Sequence, residues 1–73
     1  MADQPQTVRV TLNGEPHDLP AGLSVAGLLE HFALDARHTA VERNRALVPR
    51  AAFGATPVED GDVLELVTLV GGG

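Results

Sequence analysis

One stretch of this sequence spaces its large apolar residues at helical period. Val25, Leu28, Leu29 and Phe32 fall at i, i+3, i+4 and i+7, one face of a short helix. Ser24, just ahead of them, is of the type that caps a helix N-terminus, and the pattern runs out near residues 33–35. Gly27 weakens such a helix by about 1 kcal/mol relative to Ala, so packing must hold it. A lone short helix cannot bury its own apolar face. The segments before and after it therefore decide the fold, and both read as strands.

Thr7 to Leu12 alternates, with Val8, Val10 and Leu12 on one face and Thr7, Arg9 and Thr11 on the other. Asn13-Gly14 follows, a pair that tolerates positive φ at both positions and so predicts a tight hairpin. Glu15 to Leu19 is the return strand, confined to a sheet edge by Pro16, and Pro20-Ala21-Gly22 turns the chain towards the helix. After the helix, Thr39 to Glu42 reads as a short central strand and Asn44 as a turn residue. Ala46 to Val48 is a brief strand stopped by Pro49, and Arg50 to Phe53 forms one helical turn. Glu59-Asp60-Gly61-Asp62 is a tight acidic turn, and Val63 to Val70 is the last and longest strand. Strands on both sides of one helix mean one sheet with the helix across one face. The expected class is α+β: a β-grasp (ubiquitin-like) arrangement, a mixed sheet of four or five strands, with the first and last strands adjacent and parallel. The domain should span residues 7–70, between a frayed N-terminus at 1–6 and a glycine tail at 71–73.

Composition excludes several kinds of function. The chain has 73 residues, enough for one small domain, and only two aromatic residues, Phe32 and Phe53, so its core must come from Val and Leu. Ten acidic residues face five basic ones, all Arg, for a net charge of −5. Such a chain, without a basic stripe, is a poor binder of nucleic acid or anionic membranes. It has no Cys, which excludes disulfides, thiolate metal sites and a Cys nucleophile. No apolar run approaches the ~18 residues of a membrane span, and Met1 to Gln6 does not resemble a secretory signal. A cytoplasmic protein, monomeric on its own, is expected. His17, His31 and His38 lack the spacing of metal ligands on one helical face, so no metal site is expected. The single Ser24 is better used as a cap than as a nucleophile, and the 59–62 turn lacks the ligand spacing of a calcium loop, so it reads as solvated.

Two features remain. If Leu64 and Leu66 of the last strand point to the helix, Val63, Glu65, Val67 and Leu69 point away from it, and three of these four are apolar. Such a face is either β-propensity on an exposed surface or a docking surface for a partner protein. The sequence then closes on Gly71-Gly72-Gly73 with no polar spacer after the strand. Residues without Cβ can thread a narrow channel. Three of them extended reach about 10 Å, enough to deliver the Gly73 α-carboxylate into another protein. That carboxylate, with a pKa of about 3.5, is ionised and a poor electrophile at neutral pH. To react it must be activated, most simply as an acyl-adenylate, and the ATP chemistry then belongs to the partner.

From Thr7 to Gly73 the chain resembles the ThiS family of sulfur carriers in thiamine biosynthesis, within the ThiS/MoaD ubiquitin-like superfamily. The matching motifs are Leu12-Asn13-Gly14, Pro20-Ala21-Gly22, Ser24-Val25-Ala26-Gly27-Leu28-Leu29, Val41-Glu42-Arg43-Asn44, Val48-Pro49-Arg50, Asp60-Gly61-Asp62-Val63-Leu64-Glu65-Leu66 and the Gly72-Gly73 end. The resemblance implies a carrier and co-substrate, not an enzyme, with no bound cofactor. An E1-like adenylyltransferase (ThiF type) would adenylate Gly73 with ATP. A sulfur donor relay such as a cysteine desulfurase would convert it to a thiocarboxylate. Thiazole synthase (ThiG type) would accept the sulfur. Gly71 and Gly72 would form the tail that enters partner active sites, and Val63, Val67 and Leu69 the docking face. The family commonly ends in two glycines after an apolar residue; here Gly71 makes a third. Two other readings stand beside this one: a carrier for another sulfur pathway, such as molybdopterin, cysteine or a secondary metabolite, and a non-catalytic β-grasp interaction module.

Overall fold

The computed structural model describes residues 6–69. The expected tail at 71–73, Val70 and all of the N-terminal segment except Gln6 lie outside the described residues. The elements follow the order β1 (Thr7–Leu12), β2 (Glu15–Pro20), α1 (Val25–His31), β3 (Thr39–Arg43), β4 (Ala46–Val48) and β5 (Val63–Thr68), with single 3-10 turns at Ala36–His38 and Arg50–Ala52. The strands form one mixed sheet in the order β2-β1-β5-β3-β4. The expected β-grasp arrangement is present, with β1 and β5 parallel and the other neighbours antiparallel. The central strand is β5, and β3 lies beside it. β5 is also not the longest strand, since β1, β2 and β5 have six residues each.

Two asparagines at hairpin tips clasp β5. Asn13 (φ 50) and Gly14 (φ 83) make the β1–β2 turn. β1 pairs with β5 only at Thr11–Val63 and Leu12–Leu64. Beyond that, the Asn13 side chain acts as a further rung: its Oδ1 accepts the Leu66 N–H at 2.8 Å and its Nδ2 donates to the Leu66 carbonyl at 3.2 Å. At the β3–β4 tip, Asn44 Oδ1 accepts the Val63 N–H at 2.9 Å, and the Asn44 N–H donates to the Val63 carbonyl at 2.7 Å.

The helix is short, and its ends account for that. Its first four N–H groups have no partner within the helix itself. Here Val25 N–H donates to Thr56 O, Ala26 N–H to Phe53 O and Gly27 N–H to Ser24 Oγ, and Leu28 N–H makes the first intrahelical bond, to Ser24 O. The C-terminus closes sooner than the apolar period suggested, with Phe32 as the cap. Ala33 takes φ +58, Leu34 N–H reaches back to Leu29 O and Ala33 N–H to Glu30 O, the paired bonds of a Schellman closure. An Ala stands where Gly is usual.

One buried cluster joins Val25, Leu28 and Leu29 of α1 to Val10, Leu12, Leu19, Val41, Val48 and Leu64 of the sheet. Phe53 and Val58, from the β4–β5 connection, complete it. No helix among the described residues is long and apolar enough to cross a membrane.

Candidate functional site

The face of the sheet opposite the core divides into two halves. On β1 and β2 it is polar: Arg9 and Asp18 stand opposite each other and pair at 2.8 Å. On β5, β3 and β4 it is apolar with acidic residues set into it. Leu64 is buried and Leu66 half-buried on the core side, while Val63, Val67 and Leu69 are 46%, 56% and 47% exposed on the other. The structure therefore brings the three outward residues expected from the sequence onto one surface. It adds one the sequence reading missed. Leu47 of β4 is 70% exposed, the most exposed large apolar side chain described. The signal was available, because with Val48 inward the alternation of a strand turns Leu47 outward.

Register defines the layout. Leu47 stands opposite Glu42, and Glu42 opposite Glu65, so two carboxylates face each other across β3 and β5. Ala40 stands opposite Val67. Together these residues line a shallow depression of about 80 Å³. Like charges directly opposed in a sheet are destabilising, so this face is not arranged for the stability of the free domain.

Leu69 is the last described residue. Its N–H donates to the His38 carbonyl at 2.6 Å, continuing the ladder one step past the Thr39–Thr68 pair. Val70, Gly71, Gly72 and Gly73 follow it in sequence and lie outside the described residues.

The 59–62 turn departs from the solvated reading. Asp62 is only 5% exposed. Its Oδ2 accepts from Arg43 Nε at 2.7 Å and from the Glu59 N–H at 2.8 Å, and its Oδ1 from Asn44 Nδ2 at 3.1 Å. Arg43 also reaches Glu59 at 2.8 Å. Burial pushes the Asp62 carboxyl up, but the Arg43 guanidinium, the Glu59 N–H and the Asn44 amide together hold it below the usual carboxylate range. This carboxylate ties the β3–β4 tip to the start of β5; it is a brace for the sheet.

The remaining candidates scatter. His17 and His31 each pack against Phe32 in T-shaped pairs, with ring centroids 5.9 and 5.0 Å apart. His38 lies near Asp35, whose carboxyl is lowered to about 2 by its bonds to the Arg37 side chain and N–H. Among the described residues no three His, Cys, Asp or Glu side chains gather into a metal-binding group.

Comparison with known proteins agrees with this geometry. Two thiazole synthases, from Paramagnetospirillum magneticum and Magnetococcus marinus, are 39% and 41% identical to this chain over 66 residues, 90% of its length. The chain spans about a fifth of the length of these curated relatives. The crystal structure of the thiamine biosynthesis protein (ThiS) from Geobacter metallireducens superposes with a TM-score of 0.77 at 36% identity, over 90% of this chain and all of that one. The profile of the ThiS family matches residues 10–73. With its mixed five-stranded sheet, single helix and matching sequence, this chain belongs to the ThiS family.

Proposed function

We propose that this protein is a sulfur carrier of thiamine biosynthesis that works as a co-substrate, with Gly73 as the atom-bearing end. The observation that carries the proposal is the continuity of an exposed apolar face with the chain end. Val63, Val67 and Leu69 lie on one face of the central strand, and the glycines follow within two residues of Leu69. In this reading the domain presents one carboxylate to the active sites of its partners.

In this reading an E1-like adenylyltransferase docks on the face of β5, β3 and β4 and takes Gly71 and Gly72 into its active site. The Gly73 carboxylate attacks the α-phosphorus of ATP and expels pyrophosphate. The terminal sulfur of a donor persulfide, supplied by a relay such as a cysteine desulfurase, then displaces AMP to give an acyl disulfide, and a second thiol of the relay cleaves its S–S bond, leaving a disulfide there and a thiocarboxylate on the carrier. Activation is needed because a carboxylate ionised at neutral pH resists attack. Thiazole synthase accepts the sulfur; two thiazole synthases that contain a stretch like this chain support that choice of acceptor. The acidic pair Glu42 and Glu65 amid Leu47 and Val67 suits a partner surface with an apolar centre and basic rim, and such complementarity sets orientation and encounter rate.

Intact-mass spectrometry tests this. Incubation with ATP, an E1-like adenylyltransferase and a sulfur donor should produce a mass gain of one oxygen-to-sulfur exchange, mapped to Gly73. Deletion of Gly72 and Gly73 should abolish the gain without changing the melting temperature. An unchanged mass, under conditions that convert another carrier, would overturn the proposal.

A further inference from the structure

We propose that Arg50 is a positioning residue that sets the base from which the C-terminal tail departs; the inference rests on the carrier reading above. Its place in the structure explains why. Arg50 opens the 3-10 turn Arg50–Ala52, and its own backbone is fixed, since its carbonyl accepts the N–H of Phe53, a core residue, at 3.1 Å. From that anchored base the guanidinium extends across the surface. Nη2 donates to the Arg37 carbonyl at 2.8 Å and Nε to the Ala36 carbonyl at 3.3 Å. The fork of an Arg can hold two neighbouring carbonyls at once, which a point-charged ammonium does less well.

The turn that Arg50 grips, Ala36–His38, has no fully buried residue: Ala36 is half-buried against the core, and Arg37 and His38 are exposed. Its N-terminal end is held by Asp35, whose carboxylate accepts the Arg37 N–H at 2.9 Å and whose carbonyl accepts the Thr39 hydroxyl at 2.8 Å. The other end delivers the His38 carbonyl to the Leu69 N–H. The guanidinium therefore braces a solvent-exposed turn one residue before the carbonyl on which the last described residue hangs. Arg50 does not line the depression on the outer face. It acts through the turn.

The consequence for the chemistry is geometric. Four residues separate Leu69 from the end of Gly73, a reach of about 13 Å when extended. A loosened base lowers the precision with which the reacting carboxylate is delivered, and misplacement by about 1 Å can cost up to about 100-fold in rate. Of the docking face only Leu69 lies at the loosened end; Leu47, Val63 and Val67 stay in place, so most of that surface is unaffected.

Arg50→Met keeps the alkyl stem and removes the guanidinium; Arg50→Lys keeps the charge on a single donor nitrogen in place of the fork and should restore part of the effect. Two measurements decide. Amide hydrogen exchange on the free carrier should show the Leu69 N–H exchanging at least about fivefold faster in Arg50→Met, with the Val41 and Leu64 amides unchanged. Adenylation kinetics, with the carrier as varied substrate, should show kcat lower by about tenfold and KM within about twofold of the parent. A merely destabilised carrier would lower the folded concentration and raise apparent KM instead. Unchanged Leu69 exchange overturns the proposal, as does faster exchange with unchanged kcat, or a raised KM with unchanged kcat. The exchange measurement needs no partner, so a parent chain that is not adenylated would count against the carrier reading while the brace itself is still tested.

Discussion

Replacing Asp62 by Asn tests whether the brace at the start of β5 is electrostatic. The amide is nearly isosteric but can accept through one oxygen only. If that oxygen keeps Arg43 Nε and the Glu59 N–H, the amide nitrogen faces the Asn44 Nδ2 and the second Arg43 nitrogen, donor against donor. Two bonds fall from charged to neutral acceptor strength and two are lost, the longer of them at 3.3 Å. A hydrogen bond to a charged group contributes about 1.5–3 kcal/mol and a neutral one about 1. Breaking a fully buried pair costs about 3–5 kcal/mol, but Arg43 is partly exposed and keeps Glu59. A loss of about 2–3 kcal/mol follows, against a total of about 4–11 for a domain of this length. In melting temperature that is about 10–20 °C. The effect should also depend on pH. The folded pKa of Asp62 lies below its ordinary value of 3.8. The contribution is therefore complete above that value and is lost as pH falls through the folded pKa. Urea unfolding of both proteins across this acid range should show the gap closing. A neutral-pH loss below about 0.5 kcal/mol, or a gap that stays constant into strong acid, would refute the reasoning.

Three further outcomes are expected. Ala33→Gly should stabilise the domain by about 1 kcal/mol by relieving a left-handed Ala at an exposed helix end, read as a higher urea midpoint at constant m. Arg45→Gly should do the same at the β3–β4 tip, where Arg45 holds φ +70; no gain at either site would mean that local contacts already offset the strain. Leu47→Asp and Val67→Asp should each impair adenylation by raising KM for the carrier while leaving the melting temperature within a few degrees, since both side chains are exposed; normal KM in both would remove this face from the docking surface.

The two periodicities were enough for the sheet, the helix and the parallel pairing of the outer strands of the sequence, because Thr7 to Leu12 and Val25 to Phe32 bury what their spacing says they should. What the sequence concealed lay in side chains that substitute for backbone. Asn13 and Asn44 look like turn residues, and they are, yet each also bonds to β5, a role set by a strand some twenty to fifty residues away. Asp62 carried no local sign of burial beside two other acids in its turn; only the approach of Arg43 made it a brace. The end of α1 was hidden because Ala33 does what Gly would have advertised. At the candidate site, Val63, Val67 and Leu69 could be read from alternation, whereas the opposition of Glu42 and Glu65 depends on register, which alternation alone does not supply.

The strand that leads to the glycines is the middle of the sheet, with β1 on one side and β3 on the other. That position has a mechanical meaning. Sheet hydrogen bonds run across the strands, so a pull along β5 loads the rungs to both neighbours together, in shear, instead of opening them one after another as it would by peeling an edge strand. The asparagine clasps at Val63 and Leu66 add to the same load path. A partner could draw the chain end into a tight channel, or grip it through a reaction, with the whole sheet resisting as one body.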